Sequence, residues 1–425
     1  MAPIATAPPV HHFSNADDLG VKGQASAAAS GRAPPPPGAK VPSLANVLTS
    51  GQYDIDESVL TPYEDLPKKI EGPTVWTKEE YGKEENKEKW VRRWTDEEIE
   101  QFEKAAQDWV ASGRPHEQIE RSTIDLPISL QATLLSLRHK ILHGPGFYVF
   151  KGFPVRKWPI EVTAAAYLMV GAYLGNAVSQ NGKGHLLGHV KDIEGSNFTG
   201  NNIDKIRIYR TSARQHFHVD SSGGLIGLCC LHRSLEGGES DAVSSHNLWN
   251  HLQEHRPDVA RTLAEPIWYF DRKGEETPGI GQKPYYKRAI VSLVKGEPSN
   301  RLVTNIDPYY IKSTTRFIES GQIPPVSEKQ QEAMKVLEET AQSLALHMIL
   351  EVGDLQFVSD THVLHARTAY KDHEPPHPRR HLLRLWLSTP DTEGGWKIPF
   401  PDSSHPKRGG IQVGNQRGTC PLDAE

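Results

Sequence analysis

The fold of this chain is indicated most clearly by RQHFHVDSSGGLIGLCCLH, the stretch from Arg214 to His232. Its second half is a run of apolar residues that contains the adjacent Cys229 and Cys230. Short apolar runs bounded by turn residues are typical of buried β-strands. Because neighbouring residues of a strand face opposite ways, we expect the two cysteines to pack as small hydrophobic side chains on opposite faces.

Helices precede this stretch, and further β-rich runs follow it. A capping box of Thr95 and Glu98 predicts a helix that ends at Gly113, and apolar periodicity predicts two more over residues 128–142 and 160–174. One late helix is predicted after Ser327, with Gln330 completing its capping box. The predicted strands are GPGFYVFKGF, KIRIYRT, GLIGLCCLH, IWYF, AIVSLV, RLVTNI, MILEVGDLQFV and HLLRLWLS. Helices first and strands afterwards predict an α+β protein built on a sandwich or barrel.

Composition excludes several classes of function. The chain has 48 Lys and Arg against 53 Asp and Glu, a net charge of −5, so we expect a small-molecule substrate and neither nucleic acid nor a membrane as partner. Three cysteines are too few for a disulfide framework, and the first residues lack the charged and apolar regions of a signal peptide. Both features predict a cytoplasmic protein. Residues 1–60, rich in Ala, Pro, Ser and Gly, predict a disordered tail.

His216, His218 and Asp220 occupy alternate positions in the first half of the quoted stretch. Since alternate residues of a strand share a face, His218 and Asp220 can bind one ion, and imidazole with carboxylate suits Fe(II), Mn or Zn. The small residues SSGG that follow could leave the open space that a catalytic metal needs. Two alternatives to a catalytic iron site remain. One is a zinc hydrolase that uses His216, His218 and Asp220, and the other is a binding protein without catalytic activity.

A second histidine-bearing segment, GDLQFVSDTHVLHARTAY, runs from Gly353 to Tyr370. A third ligand from this separate strand would complete a triad of two histidines and one carboxylate, which leaves metal positions open. His362 and His365 are the two candidates. Because they are three residues apart, they would face opposite sides of an extended segment, so only one should reach the metal.

Taken together, HFHVDSS, LIGLCCLH, EGGES, GDLQFVSDTHVLHARTAY and RRHLLRLWL resemble the TauD/TfdA family of Fe(II)/2-oxoglutarate dioxygenases, in particular its fungal branch, over about residues 142–389. The resemblance implies a double-stranded β-helix (jelly roll) with flanking helices. It implies a dioxygenase domain over residues 61–400 and a C-terminal tail over 401–425. The expected reaction is oxidation of a small acidic or amino-acid-like molecule or secondary metabolite by hydroxylation, desaturation or cyclisation. The cosubstrates would be 2-oxoglutarate and O2, with succinate and CO2 released.

The resemblance also implies the metal ligands. In the family pattern the Fe(II) ligands fall on His218, Asp220 and His365. His362 is then not a ligand, and His216 becomes a packing or supporting residue beside the metal site.

The resemblance further implies roles for the arginines of PRRHLLRLWLS, because the planar fork of arginine suits a carboxylate. Arg380 would hold the distal carboxylate of 2-oxoglutarate with help from Ser240 of EGGES. Arg384, four residues later on the same strand face, would lie near the substrate, whereas Arg379 faces the other way. The further substrate-binding candidates are Gln180 and Asn181.

Overall fold

A computed structural model describes residues 57–203, 205–220, 224–272, 283–398, 410–411 and 418–424. The predicted disordered tail lies outside the described residues up to residue 56, as do residues 221–223 of the predicted small-residue loop. Residues 57–59 form a 3-10 turn, and Leu60 forms a β-bridge with Val294. The last residues of the predicted tail therefore contact the folded part of the chain.

The helices expected from apolar periodicity are present. The Thr95 hydroxyl accepts from the Glu98 backbone N–H at 3.1 Å, and Glu98 returns the bond to the Thr95 N–H at 3.0 Å, which confirms the predicted capping box. The box of Ser327 and Gln330 is confirmed as well. The α-helices of the described residues are α1 (Lys78–Tyr81), α2 (Asp96–Ala111), α3 (Ile128–His143), α4 (Ile160–Leu174), α5 (Ser245–His255), α6 (Pro257–Ala264), α7 (Pro308–Lys312), α8 (Thr315–Glu319) and α9 (Glu328–Leu344).

Helices α5 and α6 were not predicted, and the expectation of a single late helix was wrong. Both carry ordinary start signals. The Ser244 hydroxyl accepts from the Asn247 N–H at 3.0 Å and caps α5, and Pro257 occupies the first turn of α6. The two helices are too short to show a long apolar period in the sequence. Their apolar faces are buried by packing on α9.

The strands form two main sheets and several short pairs. The strands are β1 (Val91–Arg93), β2 (Phe147–Lys151), β3 (Asn176–Ala177), β4 (Leu187–Val190), β5 (Gln215–His218), β6 (Leu225–His232), β7 (Glu236–Gly237), β8 (Ser240–Ser244), β9 (Trp268–Asp271), β10 (Tyr285–Arg288), β11 (Val291–Ser292), β12 (Val303–Thr304), β13 (Leu346–Met348), β14 (Leu355–Ser359), β15 (Val363–Arg367), β16 (Tyr370–Lys371) and β17 (His381–Ser388). The larger sheet has the order β1-β2-β14-β6-β17, and β17 also pairs with β3 and β4. The smaller sheet has the order β13-β8-β15-β5.

The run KIRIYRT was predicted as a strand, and that prediction was wrong. Ile208–Arg210 is a 3-10 turn. The Thr211 hydroxyl donates to the Ile208 carbonyl at 2.8 Å, and the Arg207 guanidinium bonds the Tyr310 hydroxyl. Local bonding of this kind offers the backbone an alternative to a strand ladder.

The two sheets share a hydrophobic core, which places their inner faces opposite each other. Cys230 of β6 and Leu382 of β17 lie in one buried cluster with Ala242 of β8 and Val363 of β15. Cys229 belongs to a different cluster, formed with helices α2 to α4 on the outer face of the larger sheet. The adjacent cysteines therefore face opposite ways, as predicted. No helix in the described part of the chain is long and apolar enough to cross a membrane.

The described residues of the predicted C-terminal tail, 401–425, pack onto the domain. The Ile411 N–H donates to the Ser179 carbonyl at 2.8 Å, and the Leu186 N–H donates to the Thr419 carbonyl at 2.7 Å. Both contacts lie on the loop between β3 and β4, so the end of the chain supports that loop from outside.

Candidate metal centre

The smaller sheet brings together two histidines that are far apart in sequence. Strands β5 and β15 are antiparallel neighbours, and their register places His218 directly opposite His365. The two rings lie 4.2 Å apart between centroids. Asp220 follows β5 by two residues, and one ligand atom from each of the three side chains lies within 4.8 Å of the other two. All three are buried, so the structure brings together the three predicted metal ligands.

The other two candidate histidines lie elsewhere. The His216 Nδ1 atom bonds the Glu338 carboxylate at 2.9 Å. His362 precedes β15, stacks on Trp396 with ring centroids 4.6 Å apart, and bonds the Thr361 hydroxyl at 3.0 Å. The zinc site that would use His216 is therefore not assembled, and the predicted separation of His362 from His365 is present.

Hydrogen bonds orient His218 toward the centre. Its Nδ1 donates to the His216 carbonyl at 2.8 Å, so Nε2 is the nitrogen that faces the centre. There Nε2 lies 2.8 Å from the Gln215 side-chain nitrogen, a contact that a bound metal would replace. Burial lowers the pKa of His218, but Asp220 outweighs burial and raises it above the usual range. A metal ion at this nitrogen therefore competes with a proton. Burial and the neighbouring His218 lower the pKa of His365 to about 3, so its imidazole is neutral and able to act as a ligand.

The Asp220 carboxylate is held through one of its oxygens. Oδ2 accepts from Arg384 Nη1 at 3.1 Å and from Trp386 Nε1 at 2.8 Å, while Oδ1 lies 3.6 Å from His218 Nε2. Burial opposes ionisation of Asp220, but Arg384 and His218 together hold its pKa well below the usual range. Asp220 is therefore a fixed carboxylate with one oxygen turned toward the histidines.

Arg384 was predicted to bind substrate, but much of its guanidinium is engaged within the protein. Besides Asp220, it donates from Nε to Gln180 Oε1 at 2.8 Å, and its guanidinium lies 4.3 Å from the centroid of the Tyr209 ring. Gln180 in turn donates to the backbone carbonyls of Leu186 and Arg384. Gln180 thus fixes the arginine that fixes Asp220.

The other predicted substrate residue, Asn181, forms hydrogen bonds within its own loop. Its side-chain nitrogen lies 2.9 Å from His185 Nδ1, and its side-chain oxygen accepts from the Lys183 N–H. Neither Asn181 nor Gln180 is among the residues that line the cavity beside the candidate metal centre.

Arg380 and Ser240, the two predicted cosubstrate residues, line that cavity. Arg380 Nη2 donates to the Gly238 carbonyl at 3.2 Å. A Cβ atom at position 238 would lie 2.7 Å from Arg380 Nε, so the second glycine of EGGES lets the arginine pass close to the backbone. Arg379 faces outward, as predicted, and pairs with Asp372 at 3.2 Å.

The cavity itself lies between the two sheets. Its lining residues are Val190, Tyr209, Gln215, His218, Asp220, Leu228, Ser240, Leu350, His365, Ala366, Arg367, Arg380, Leu382 and Arg384. Two imidazoles that can be neutral and one carboxylate are a suitable ligand set for Fe(II) with open coordination positions. The Arg380 Nη1 atom is buried without a hydrogen-bond partner in the described structure, which fits an anionic group placed beside that ion.

Sequence reasoning missed three residues of this site. Trp386 holds Asp220, Tyr209 lies against Arg384, and Arg367 adds a third arginine to the cavity. Arg367 and Trp386 had a readable signal, because they follow His365 and Arg384, respectively, by two residues on a strand and so share their faces. Tyr209 lies in the run that was wrongly predicted as a strand.

Comparisons with known proteins identify the family of the chain. The model of the taurine catabolism dioxygenase TauD, TfdA family matches residues 110–386. The chain is 30% identical over 271 residues to FR-33289 synthase of Streptomyces rubellomurinus, covering 62% of this chain and 74% of that protein. It is 28% identical over 280 residues to the taurine hydroxylase-like protein SAT17 of Stachybotrys chartarum, covering 65% and 69%.

Two solved structures share the fold. An asparagine oxygenase in complex with Fe(II), hydroxyasparagine and succinate is similar with a TM-score of 0.51 and 18% identity, covering 71% of this chain and 94% of that one. The non-heme iron oxygenase OrfP in complex with Fe and alpha-ketoglutaric acid is similar with a TM-score of 0.50 and 15% identity, covering 70% and 94%.

Proposed function

The chain belongs to the TauD/TfdA dioxygenase family and is an Fe(II)/2-oxoglutarate-dependent enzyme, and we propose that His218, Asp220 and His365 hold its iron. The observation that carries the proposal is the convergence of these three buried side chains, with one ligand atom of each within 4.8 Å of the others, at the wall of a cavity. Iron bound there supplies O2 activation coupled to decarboxylation of 2-oxoglutarate to succinate and CO2.

The protein's own part is to fix the ligands and exclude water. The His216 carbonyl sets the tautomer of His218, while Arg384 and Trp386 occupy one oxygen of Asp220 and leave the other for the metal. His218, Asp220 and His365 would hold the ion with three ligands, and such a ligand set has positions open for a cosubstrate and O2. Leu228, Leu350 and Leu382 make part of the cavity wall apolar.

Arg380 and Ser240 are the proposed cosubstrate residues. The distal carboxylate of 2-oxoglutarate would pair with the Arg380 guanidinium, whose Nη1 lacks a partner in the described structure. The Ser240 hydroxyl, which donates to Gln356 Oε1 at 3.2 Å, would turn toward the same carboxylate.

The proposed substrate is a small molecule with an acidic or amino-acid-like group. Three arginines line the cavity, Arg367, Arg380 and Arg384, against one carboxylate, that of Asp220. This excess of positive charge favours an anionic group in the ligand. Hydroxylation is the proposed reaction, in line with the name of the SAT17 relative. Desaturation or cyclisation would use the same residues.

The fold and setting complete the proposal. The two facing sheets would form a double-stranded β-helix, in one dioxygenase domain over residues 61–400 that also packs against the described C-terminal residues. A cytoplasmic location suits an Fe(II) enzyme whose three cysteines are all unpaired thiols.

The test is an anaerobic titration of the purified apo-protein with Fe(II) and then 2-oxoglutarate, followed by visible spectroscopy. We expect a weak charge-transfer band that requires both additions and disappears in His218→Ala. His216→Ala is the matched control, because only its backbone carbonyl faces the centre, and it should keep the band. A wild-type protein without the band, or a His218→Ala variant that retains it, would contradict the assignment.

A further inference from the structure

A second buried arginine lies beside Arg380 in the cavity wall, and neither has an acidic partner among the described residues. Arg367 and Arg380 are only 6% and 7% exposed. The other two arginines of this region each pair with an aspartate, Arg379 with Asp372 and Arg384 with Asp220. Burying a guanidinium without an anion is costly, so two neighbouring arginines without an acidic partner indicate a site for an anionic ligand.

Arg367 uses only part of its hydrogen-bonding capacity. Its Nη2 atom donates to the carbonyl oxygens of Thr211, at 3.0 Å, and Ala213. Nε and Nη1 of Arg367, like Nη1 of Arg380, are buried and have no hydrogen-bond partner in the described structure. Three nitrogen donors are therefore left for a ligand.

The Tyr370 ring explains how two like charges are tolerated side by side. The guanidinium carbons of Arg367 and Arg380 lie 4.8 and 5.0 Å from its centroid, where the ring face attracts both cations. Arginine keeps its charge at neutral pH in proteins, so both side chains present positive charge to a ligand.

The position of Arg367 connects this pair to the cosubstrate site. Arg367 follows His365 by two residues on β15, and in the ladder with β8 it lies opposite Ser240. Three free nitrogens and the Ser240 hydroxyl give four donors, and a carboxylate has about four acceptor sites. We propose that Arg367 is a second anchor for the distal carboxylate of 2-oxoglutarate and shares that carboxylate with Arg380.

This inference rests on the proposed function, and the test separates the two. The dissociation constants of 2-oxoglutarate and 2-oxopentanoate are measured by anaerobic calorimetry on the Fe(II)-loaded enzyme. 2-Oxopentanoate has the same chain and the same chelating end but lacks the distal carboxylate. The ratio of the two constants therefore reports on the carboxylate subsite alone and is insensitive to damage at the metal.

In Arg367→Met we expect the preference for 2-oxoglutarate to fall by about ten- to hundredfold, the range for a lost hydrogen bond to a charged group, with 2-oxopentanoate affinity unchanged. Arg379→Met is the matched control and should keep the wild-type ratio, because Arg379 points away from the cavity toward Asp372. Arg380→Met should lower the ratio as well.

Other outcomes overturn the inference or the function beneath it. If Arg367→Met weakens both ligands equally, Arg367 only supports the loop at Thr211 and Ala213, and the inference is wrong. A wild-type enzyme without preference for 2-oxoglutarate would instead refute the proposed cosubstrate site. If Arg367→Met does not fold, Arg367→Lys carries the test: a lowered ratio supports a shared carboxylate, and an unchanged ratio overturns it.

Discussion

Two of the buried histidine pairs among the described residues differ sharply: one lies beside a carboxylate in the candidate metal centre, and the other does not. His218 and His365 face each other across β5 and β15 beside the Asp220 carboxylate and the cavity. His246 and His362 lie with ring centroids 5.8 Å apart, and both stack on Trp396.

The neighbours of each pair make the difference. His246 bonds the Thr74 hydroxyl and the Leu302 carbonyl, and His362 bonds the hydroxyls of Ser359 and Thr361. Burial lowers the pKa of His246 to about 4. Two imidazoles with hydroxyl and carbonyl partners form a neutral packing cluster, whereas two imidazoles with a fixed carboxylate form a cation site.

The largest expected effect distinguishes the two histidines that are three residues apart. His365→Ala should reduce bound iron by about a hundredfold or more, because it removes one of the three proposed ligands, with little loss of stability. His362→Ala should retain iron but lower the free energy of unfolding by about 2–4 kcal/mol, since it empties a packed site. Iron stoichiometry and urea unfolding of both variants provide the check. Iron loss in His362→Ala with His365→Ala unaffected would reverse the assignment.

A smaller effect is expected from the residue that holds the carboxylate. Arg384→Gln should weaken Fe(II) binding by about ten- to hundredfold, because supporting hydrogen bonds of metal ligands have effects of that size. Competition with a chromophoric chelator would measure the affinity. Arg379→Gln is the comparison variant and should bind iron like the wild type. Unchanged iron affinity in Arg384→Gln, with weaker substrate binding, would restore the substrate role predicted for this arginine.

The smallest effect concerns the packing cluster and pH. His246 has an ordinary pKa of 6.5 when unfolded and about 4 when folded, so between these values the unfolded chain binds more protons. Its contribution to stability is complete above pH 6.5 and is lost as the pH falls toward 4. Between pH 7 and 5.5 we expect a loss of about 1 kcal/mol from this residue.

Urea unfolding of wild type and His246→Gln at both pH values tests this sign. The variant should lose less stability on acidification than the wild type, because glutamine does not titrate in this range. Equal losses would mean that folding does not change the pKa of His246, which would contradict the prediction.

Much of the site was predictable because strand geometry is regular. The spacing of His218 and Asp220 placed both on one face, and the odd spacing of His362 and His365 separated them; the structure shows both arrangements. Helices α5 and α6 were missed although Ser244 and Pro257 carry their start signals. The run with Ile208 failed as a strand because local hydrogen bonds closed a turn.

The sequence by itself determined the mixed helix and strand content, the shared face of His218 and Asp220, and the separation of His362 from His365. These features depend on periods of two and 3.6 residues, whereas the choice of His365 came from the family resemblance. Only the tertiary structure decided that Arg384 pairs with Asp220 and that Gln180 supports Arg384. It also decided that two nitrogens of Arg367 have no hydrogen-bond partner in the described structure. Asp220 and Gln180 lie 164 and 204 residues from Arg384 in the chain. The physical reason is that the pairing of each buried arginine with a carboxylate depends on how the two sheets face each other. No local sequence pattern encodes the distance between side chains on different strands.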